Sequence, residues 1–290
     1  GAFRCFGPLN MGSRFLPRAA KELHKKSKLL VLDVNGLLLE RVRGKVPIGV
    51  NSPSDATFRG VKVFQRPHMK KFVEWCIEHF HVAIWSTAKK ENVDLLANLV
   101  LGANYSEKTA FVWHQANCSN TGLFHPESRH KPVVLKELSR VWEHAQLGAK
   151  FNKENTLLID DSSYKACMNP PYSSIHPPAW TCDMQEDDLL MPGKPLTNFL
   201  EGLLEASHVS KYVAENDPYG ANTETPLEKQ LIADIRSRRA RGVSYNLRDS
   251  TRSLYDGRGV GLDSQNSQNI VDMDGLAEGM RQLGVVRARG

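Results

Sequence analysis

Short apolar runs closed by polar residues alternate with amphipathic stretches along the first two-thirds of the chain. Lys28-Leu-Leu-Val-Leu-Asp33 stops at Val34-Asn35-Gly36, as a fully buried parallel strand does when it opens into a loop. His81-Val-Ala-Ile-Trp85, ending in Ser86-Thr87, and Asn155-Thr-Leu-Leu-Ile159, ending in Asp160-Asp161, repeat the pattern. Between them Pro67 opens a helix in which Met69, Phe72, Val73, Trp75 and Cys76 recur at near-helical spacing, and 89–101 forms another. Phe111–Trp113 reads as a short strand, Val133–His144 as a third helix and 194–214 as a closing helix. Residues 41–65, rich in Gly, Pro, Ser and Asn, read as a long loop or a weak hairpin.

Strands alternating with helices predict an α/β fold with a doubly wound parallel sheet. Ligands of such sheets bind beyond the carboxyl ends of the strands. Three strands here deliver Asp33, Ser86 and the Asp160-Asp161 pair to that one edge.

The flanks differ. Residues 1–27 are an irregular basic lead-in, and the segment before residue 29 carries Arg4, Arg14, Arg18, Lys21, Lys25, Lys26 and Lys28 against Glu22 alone. Its basic, acid-poor character is compatible with the end of a targeting sequence. Beyond Asp217-Pro218 the composition turns to Gly, Ser, Asn, Gln and Arg with few aromatics. Residues 215–290 are therefore expected to be largely disordered, with helices near 225–241 and 273–283. Arg236, Arg238, Arg239 and Arg241 read as a solvated helix face, with electrostatic docking as the minority reading.

Composition narrows the class. With 290 residues, 41% hydrophobic and 24% charged, the chain can bury a sizeable core, and no apolar run approaches the ~20 residues of a membrane-spanning helix. The net charge of +6 suits an acidic partner such as a phosphoprotein, without implying nucleic acid. Five cysteines without a CxxC pair, and ten histidines without ligand spacing, argue against a disulfide framework or a zinc cluster.

Carboxylates facing each other at strand ends make a hard-oxygen site suited to Mg²⁺, with positions left for phosphate oxygens. A Ser hydroxyl and a Lys ammonium at the same edge would hold the remaining phosphoryl oxygens. Asp33 could then accept a phosphoryl group, and water would hydrolyse the aspartyl-phosphate. Each piece alone is ordinary: Asp160-Asp161-Ser162 could cap a helix, and Lys136 could be a solvated helix residue. The order Asp, Ser, Lys, Asp-Asp along alternating elements is not.

Leu32-Asp-Val-Asn-Gly-Leu37, Gln65-Arg-Pro67, Val82-Ala-Ile-Trp-Ser-Thr-Ala88, Lys136-Glu-Leu-Ser139 and Leu157-Leu-Ile-Asp-Asp-Ser162 resemble the FCP-homology domain of the haloacid dehalogenase superfamily. That is the catalytic domain of small CTD phosphatases, Dullard-type phosphatases and NLI-interacting factors. Lys131–Ser139, Ser163–Ala166 and Asn169-Pro170 look most like its plant branch. The resemblance covers residues 28–214. It implies Asp33 as nucleophile and Mg²⁺ ligand, Ser86 and Lys136 (with Lys131 as the substitute) on the phosphate, and Asp160 and Asp161 on Mg²⁺. Asn35 stands where the family's second Asp is general acid and base, and Leu37 where a Thr belongs; Asn35 could still offer Mg²⁺ its main-chain carbonyl.

Two functions follow. One is a Mg²⁺-dependent Ser/Thr phosphoprotein phosphatase, slowed because Asn35 cannot carry a proton. The other is a phosphatase-like binding module with impaired turnover, as in a mitochondrial inner-membrane import translocase. Asp33, Ser86, Lys136 and Asp160 favour the first, Asn35 and Leu37 the second. The compartment implied is nucleus or cytoplasm, or the mitochondrion if a transit segment precedes Gly1. A nucleotide-binding protein is disfavoured, since neither GxGxxG nor GxxxxGK[ST] follows the first strand.

Overall fold

The computed structural model describes residues 26–184, 186–220 and 224–242, with backbone only at 129–130. The elements run β1 (Leu29–Leu32), β2 (Leu39–Arg43), β3 (Ala56–Phe58), β4 (Val61–Gln65), α1 (Met69–His79), β5 (His81–Trp85), α2 (Lys90–Leu101), α3 (Tyr105–Lys108) and β6 (Thr109–Trp113). There follow β7 (Ser119–His125), β8 (Ser128–Leu135), α4 (Ser139–Trp142), β9 (Thr156–Ile159), β10 (Ser174–Ile175), α5 (Pro195–Glu205), α6 (Val209–Asn216) and α7 (Pro226–Ala240).

Five strands form one parallel sheet in the order β10-β9-β1-β5-β6, so β1 is central and fully buried. Successive strand side chains point to opposite faces. Leu30 and Leu32 accordingly pack with α1, α2, α5 and α6 on one side. Leu29 and Val31 pack on the other with Val134, Leu138, Val141 and Phe151. Each fully buried Leu contributes roughly 1.5–3 kcal/mol relative to exposure.

Several local expectations change. Val133–Leu135 is not helical: it ends strand β8, paired antiparallel with β7, and only Ser139–Trp142 coils. Val134, Leu138 and Val141 have helical spacing, but Pro132 and the β7 partner win. Residues 41–65 are more than a loop, giving a three-stranded antiparallel sheet β2-β4-β3. The closing helix is two, α5 and α6.

Helix α7 begins in a capping box. Thr225 Oγ1 accepts from the Glu228 N–H at 3.2 Å, Glu228 Oε2 accepts from the Thr225 N–H at 3.0 Å, and Pro226 opens the first turn. Its Leu231, Ile232 and Ile235 are buried with Val133, Leu135 and Tyr164. The arginines of its last turns are not merely solvated. Arg239 bonds Glu137 Oε1 at 3.0 Å, and Arg236 reaches the Cys167 carbonyl at 3.4 Å. The lead-in before residue 26, the segment 243–290 and the helix expected near 273–283 lie outside the described residues. Among the described residues no helix is long and apolar enough to cross a membrane.

Candidate active site

Sheet register sets the site. Leu32 pairs with Ile159 on one side and Ile84 on the other, so Asp33 and Asp160 step off their strands at the same level. Ser86 lies one residue further beyond the edge, two after Ile84. Alternation puts Asp33 on the Val31 face, the face that β8 covers, and Lys136 immediately follows β8.

Lys136 is fully buried and bonds Asp33 Oδ1 at 2.8 Å and Asp160 Oδ2 at 2.5 Å. The solvated-helix reading of Lys136 is thereby excluded, and Lys136 rather than Lys131 meets Asp33. Lys131 stands on the rim, where burial and Lys165 lower its pKa against Asp161 and Asp33. The Asn169 carboxamide fixes the Lys136 segment, donating to the Lys136 carbonyl at 2.9 Å and accepting from the Leu138 N–H at 2.8 Å.

A second buried lysine was not anticipated. The chain after Asp161 coils into a short 3-10 turn, Ser163–Ala166, which carries Lys165 back over the strand ends. Its ammonium lies 2.8 Å from Asp33 Oδ2, 2.9 Å from Asp160 Oδ1 and 3.3 Å from Asp161 Oδ1. The sequence signal was the i,i+4 spacing from Asp161. Burial opposes the charge on Lys165, but the three carboxylates prevail and hold its pKa well above the ordinary value. Asp160 is buried too, yet Lys136 and Lys165 hold its carboxyl far below the usual range. Asp161 goes the other way: burial, aided by Asp160 and Asp33, pushes it up to about 7 against the pull of Lys165.

Asp33, Asp160 and Asp161 each present a carboxylate oxygen, all within 4.8 Å of one another. That donor chemistry fits a hard divalent cation. Ser86 is buried, its Oγ accepting from the Ala88 N–H at 3.3 Å. Asn35 Oδ1 accepts from the Arg41 N–H at 3.2 Å and Nε at 3.4 Å, and Leu37 is fully buried.

The loop after β1 is shaped by two further groups. Gly36 has φ +87°, and a Cβ there would lie 2.4 Å from Asp161 Oδ2, so only glycine leaves room for that carboxylate. Arg66, in the Gln65-Arg-Pro67 motif, donates to the carbonyls of Gly36 (3.3 Å), Leu37 (3.2 Å) and Pro178 (3.3 Å). Its other edge makes a two-pronged ion pair with Asp187 at 2.7 and 2.6 Å.

Known proteins are similar to this chain. An FCP1 homology domain-containing protein of Schizosaccharomyces pombe is 28% identical over 153 residues, which is 51% of this chain and 59% of that protein. The fission yeast RNA polymerase II CTD phosphatase Fcp1 bound to beryllium fluoride overlays 82% of this chain and 64% of its own, with TM-score 0.37 and 14% identity. A second structure, of Fcp1 as an essential RNA polymerase II CTD phosphatase, gives 0.36 and 12% over 82% and 68%. At those scores neither overlay bears on the site. Residues 28–210 match the NLI interacting factor-like phosphatases. That match spans well over half the chain, and the protein belongs to this family of FCP-homology, haloacid dehalogenase-type phosphatase domains.

Proposed function

We propose that the protein is a Mg²⁺-dependent phosphoserine/phosphothreonine protein phosphatase with Asp33 as nucleophile. The observation that carries the reading is the buried Asp33 carboxylate, aligned by Lys136 and facing the Asp160-Asp161 pair at the sheet's carboxyl edge. An Asp33 oxygen attacks phosphorus, the P–O bond to the serine or threonine oxygen breaks, and the leaving oxygen takes a proton from solvent water. Water then cleaves the aspartyl-phosphate and regenerates Asp33. Lys136 and the Ser86 hydroxyl are assigned to the phosphoryl oxygens, where fixed donors offset developing charge. Asp33, Asp160 and Asp161, with the Asn35 carbonyl, would hold Mg²⁺, which supplies charge neutralisation for an anion meeting an anion.

The proton for the leaving group is the weak point. Asn35 cannot give or retrieve one, and loss of a positioned acid/base costs ~10²–10⁴-fold. Turnover is therefore slow, and least so for leaving groups of low pKa. Catalysis is assigned to residues 28–214, with α7 as a brace. The proposed substrate is a phosphorylated protein segment, and the proposed location is nucleus or cytoplasm.

The second reading, a phosphatase-like binding module, is favoured by the Asn35 amide turned onto Arg41 and by buried Leu37. Hydrolysis of p-nitrophenyl phosphate with Mg²⁺, beside Asp33→Asn, separates the two. A rate that disappears in the variant supports the phosphatase; equal background rates overturn it.

A further inference from the structure

Lys165 contacts each of the three carboxylates whose chemistry fits a divalent cation. Its Nζ lies 2.8 Å from Asp33, 2.9 Å from Asp160 and 3.3 Å from Asp161, one oxygen of each carboxylate. Mg²⁺ binds oxygen at about 2.0–2.1 Å. An ion ligated by those same three oxygens would lie within van der Waals contact of that nitrogen, and two cations cannot share the space. Charge gives the same answer. With all three carboxylates ionised, they and Lys136 carry two negative charges, matched by one dication; Lys165 already removes one of the two.

The lysine is built into this position. It is buried, and its backbone is tied to the Lys136 segment, the Lys136 N–H donating to the Lys165 carbonyl at 2.8 Å. Its own N–H donates to the Ser162 carbonyl at 3.2 Å, within the turn that Asp160 Oδ1 fixes by accepting from the Ser162 N–H at 2.9 Å. Only the side chain can leave, by rotating its four-carbon stem.

We propose that Lys165 is a resident cation of the acidic centre, and that its ammonium and a divalent metal exclude one another there. This rests on the metal reading of Asp33, Asp160 and Asp161 above. Metal enters as Lys165 swings out, so without metal the protein keeps a centre with one negative charge left rather than two, and it binds Mg²⁺ weakly. Displaced, the ammonium stays tethered beside the nucleophile, where it can meet an incoming phosphate.

Calorimetric titration of the full chain with Mg²⁺, wild type against Lys165→Met, tests this. The variant should bind roughly tenfold tighter or more, because no buried ion pairs need be broken. Its thermal midpoint should rise steeply with Mg²⁺, while the wild type responds little. Since the variant could fold poorly without metal, a second measurement uses the wild type alone. Acetylation of Lys165 by acetic anhydride, followed by peptide mass spectrometry, should increase as Mg²⁺ is added.

Equal or weaker Mg²⁺ binding by Lys165→Met, or acetylation of Lys165 that stays flat across the titration, overturns the proposal. Binding by the variant but not by the wild type supports it. The phosphatase reading stands or falls separately, on whether wild-type hydrolysis depends on Asp33.

Discussion

The backbone N–H of Lys136 donates to the carbonyl of Lys165 at 2.8 Å, which joins the two segments whose ammoniums meet on Asp33. One segment follows the β7-β8 hairpin and the other follows β9 through a 3-10 turn. Coupling them makes the site a single unit, sensitive to whatever holds either side.

Asn169 is such a holder. Asn169→Ala leaves the Leu138 N–H and the Lys136 carbonyl without their partner in a buried setting, costing about 1–3 kcal/mol. Urea denaturation should show a lower midpoint at unchanged slope, and hydrolysis should fall with it. Asn169→Asp keeps the acceptor for Leu138 but loses the donor, so its loss should be intermediate.

Helix α7 braces both segments from outside. Leu231 and Ile235 bury against Val133 and Leu135 before Lys136 and against Tyr164 beside Lys165. Leu231→Ala should cost roughly 2–4 kcal/mol, while Arg239→Ala, whose side chain is half exposed against Glu137, should cost less than about 1 kcal/mol. Thermal unfolding of the two variants checks the contrast; equal losses would mean that α7 is held by charge rather than by packing.

How much of this was legible follows from what each element depends on. Strands β1, β5 and β9 are buried on both faces and read as unbroken apolar runs, so Asp33, Ser86, Asp160 and Asp161 could be placed at one edge from sequence alone. Strand β8 could not be identified. Val134 shares helical spacing with Leu138 and Val141 beyond the strand, and what makes β8 a strand is a partner, β7, that local pattern does not reveal. Lys165 escaped for a similar reason. Its position is set by a four-residue 3-10 turn, and an i,i+4 Lys after an Asp is ordinary in any surface helix.

Arg66 is expected to matter for the loop rather than for chemistry. Arg66→Met would strand Asp187, exposed by only 12%, and release the Gly36 and Leu37 carbonyls, at a cost of about 3–5 kcal/mol. Arg66→Lys should recover little, since an ammonium cannot reproduce the two-pronged fork. A double-mutant cycle with Asp187→Asn, read by chemical denaturation, should show strong coupling; additive effects would assign the role to the carbonyl contacts instead.

His81 gives a pH signature away from the site. Burial first, then the charge of Lys150, lowers its pKa below the ordinary 6.5. The unfolded chain therefore binds the proton more readily, and stability is lost as pH falls below 6.5. His81→Gln should remove that slope. Wild type should lose more stability than the variant between pH 7 and the acid side of the folded-state pKa, as followed by urea midpoints.

The strongest test of slow turnover is to restore the missing proton carrier. Asn35 Oδ1 already accepts from the Arg41 N–H and Nε, and an aspartate would keep both bonds, now charge-assisted. Asn35→Asp should therefore fold normally, with an unchanged thermal midpoint. If proton donation limits the rate, kcat on a phosphoserine peptide should rise by ~10²-fold or more, while p-nitrophenyl phosphate, whose leaving group scarcely needs a proton, should gain far less. Equal gains on both substrates would point to an electrostatic effect of the added charge. No gain on either, with the fold intact, would assign the bottleneck to Arg41's grip on residue 35 or to Leu37, and Arg41→Ala in the Asn35→Asp background would then decide between those two.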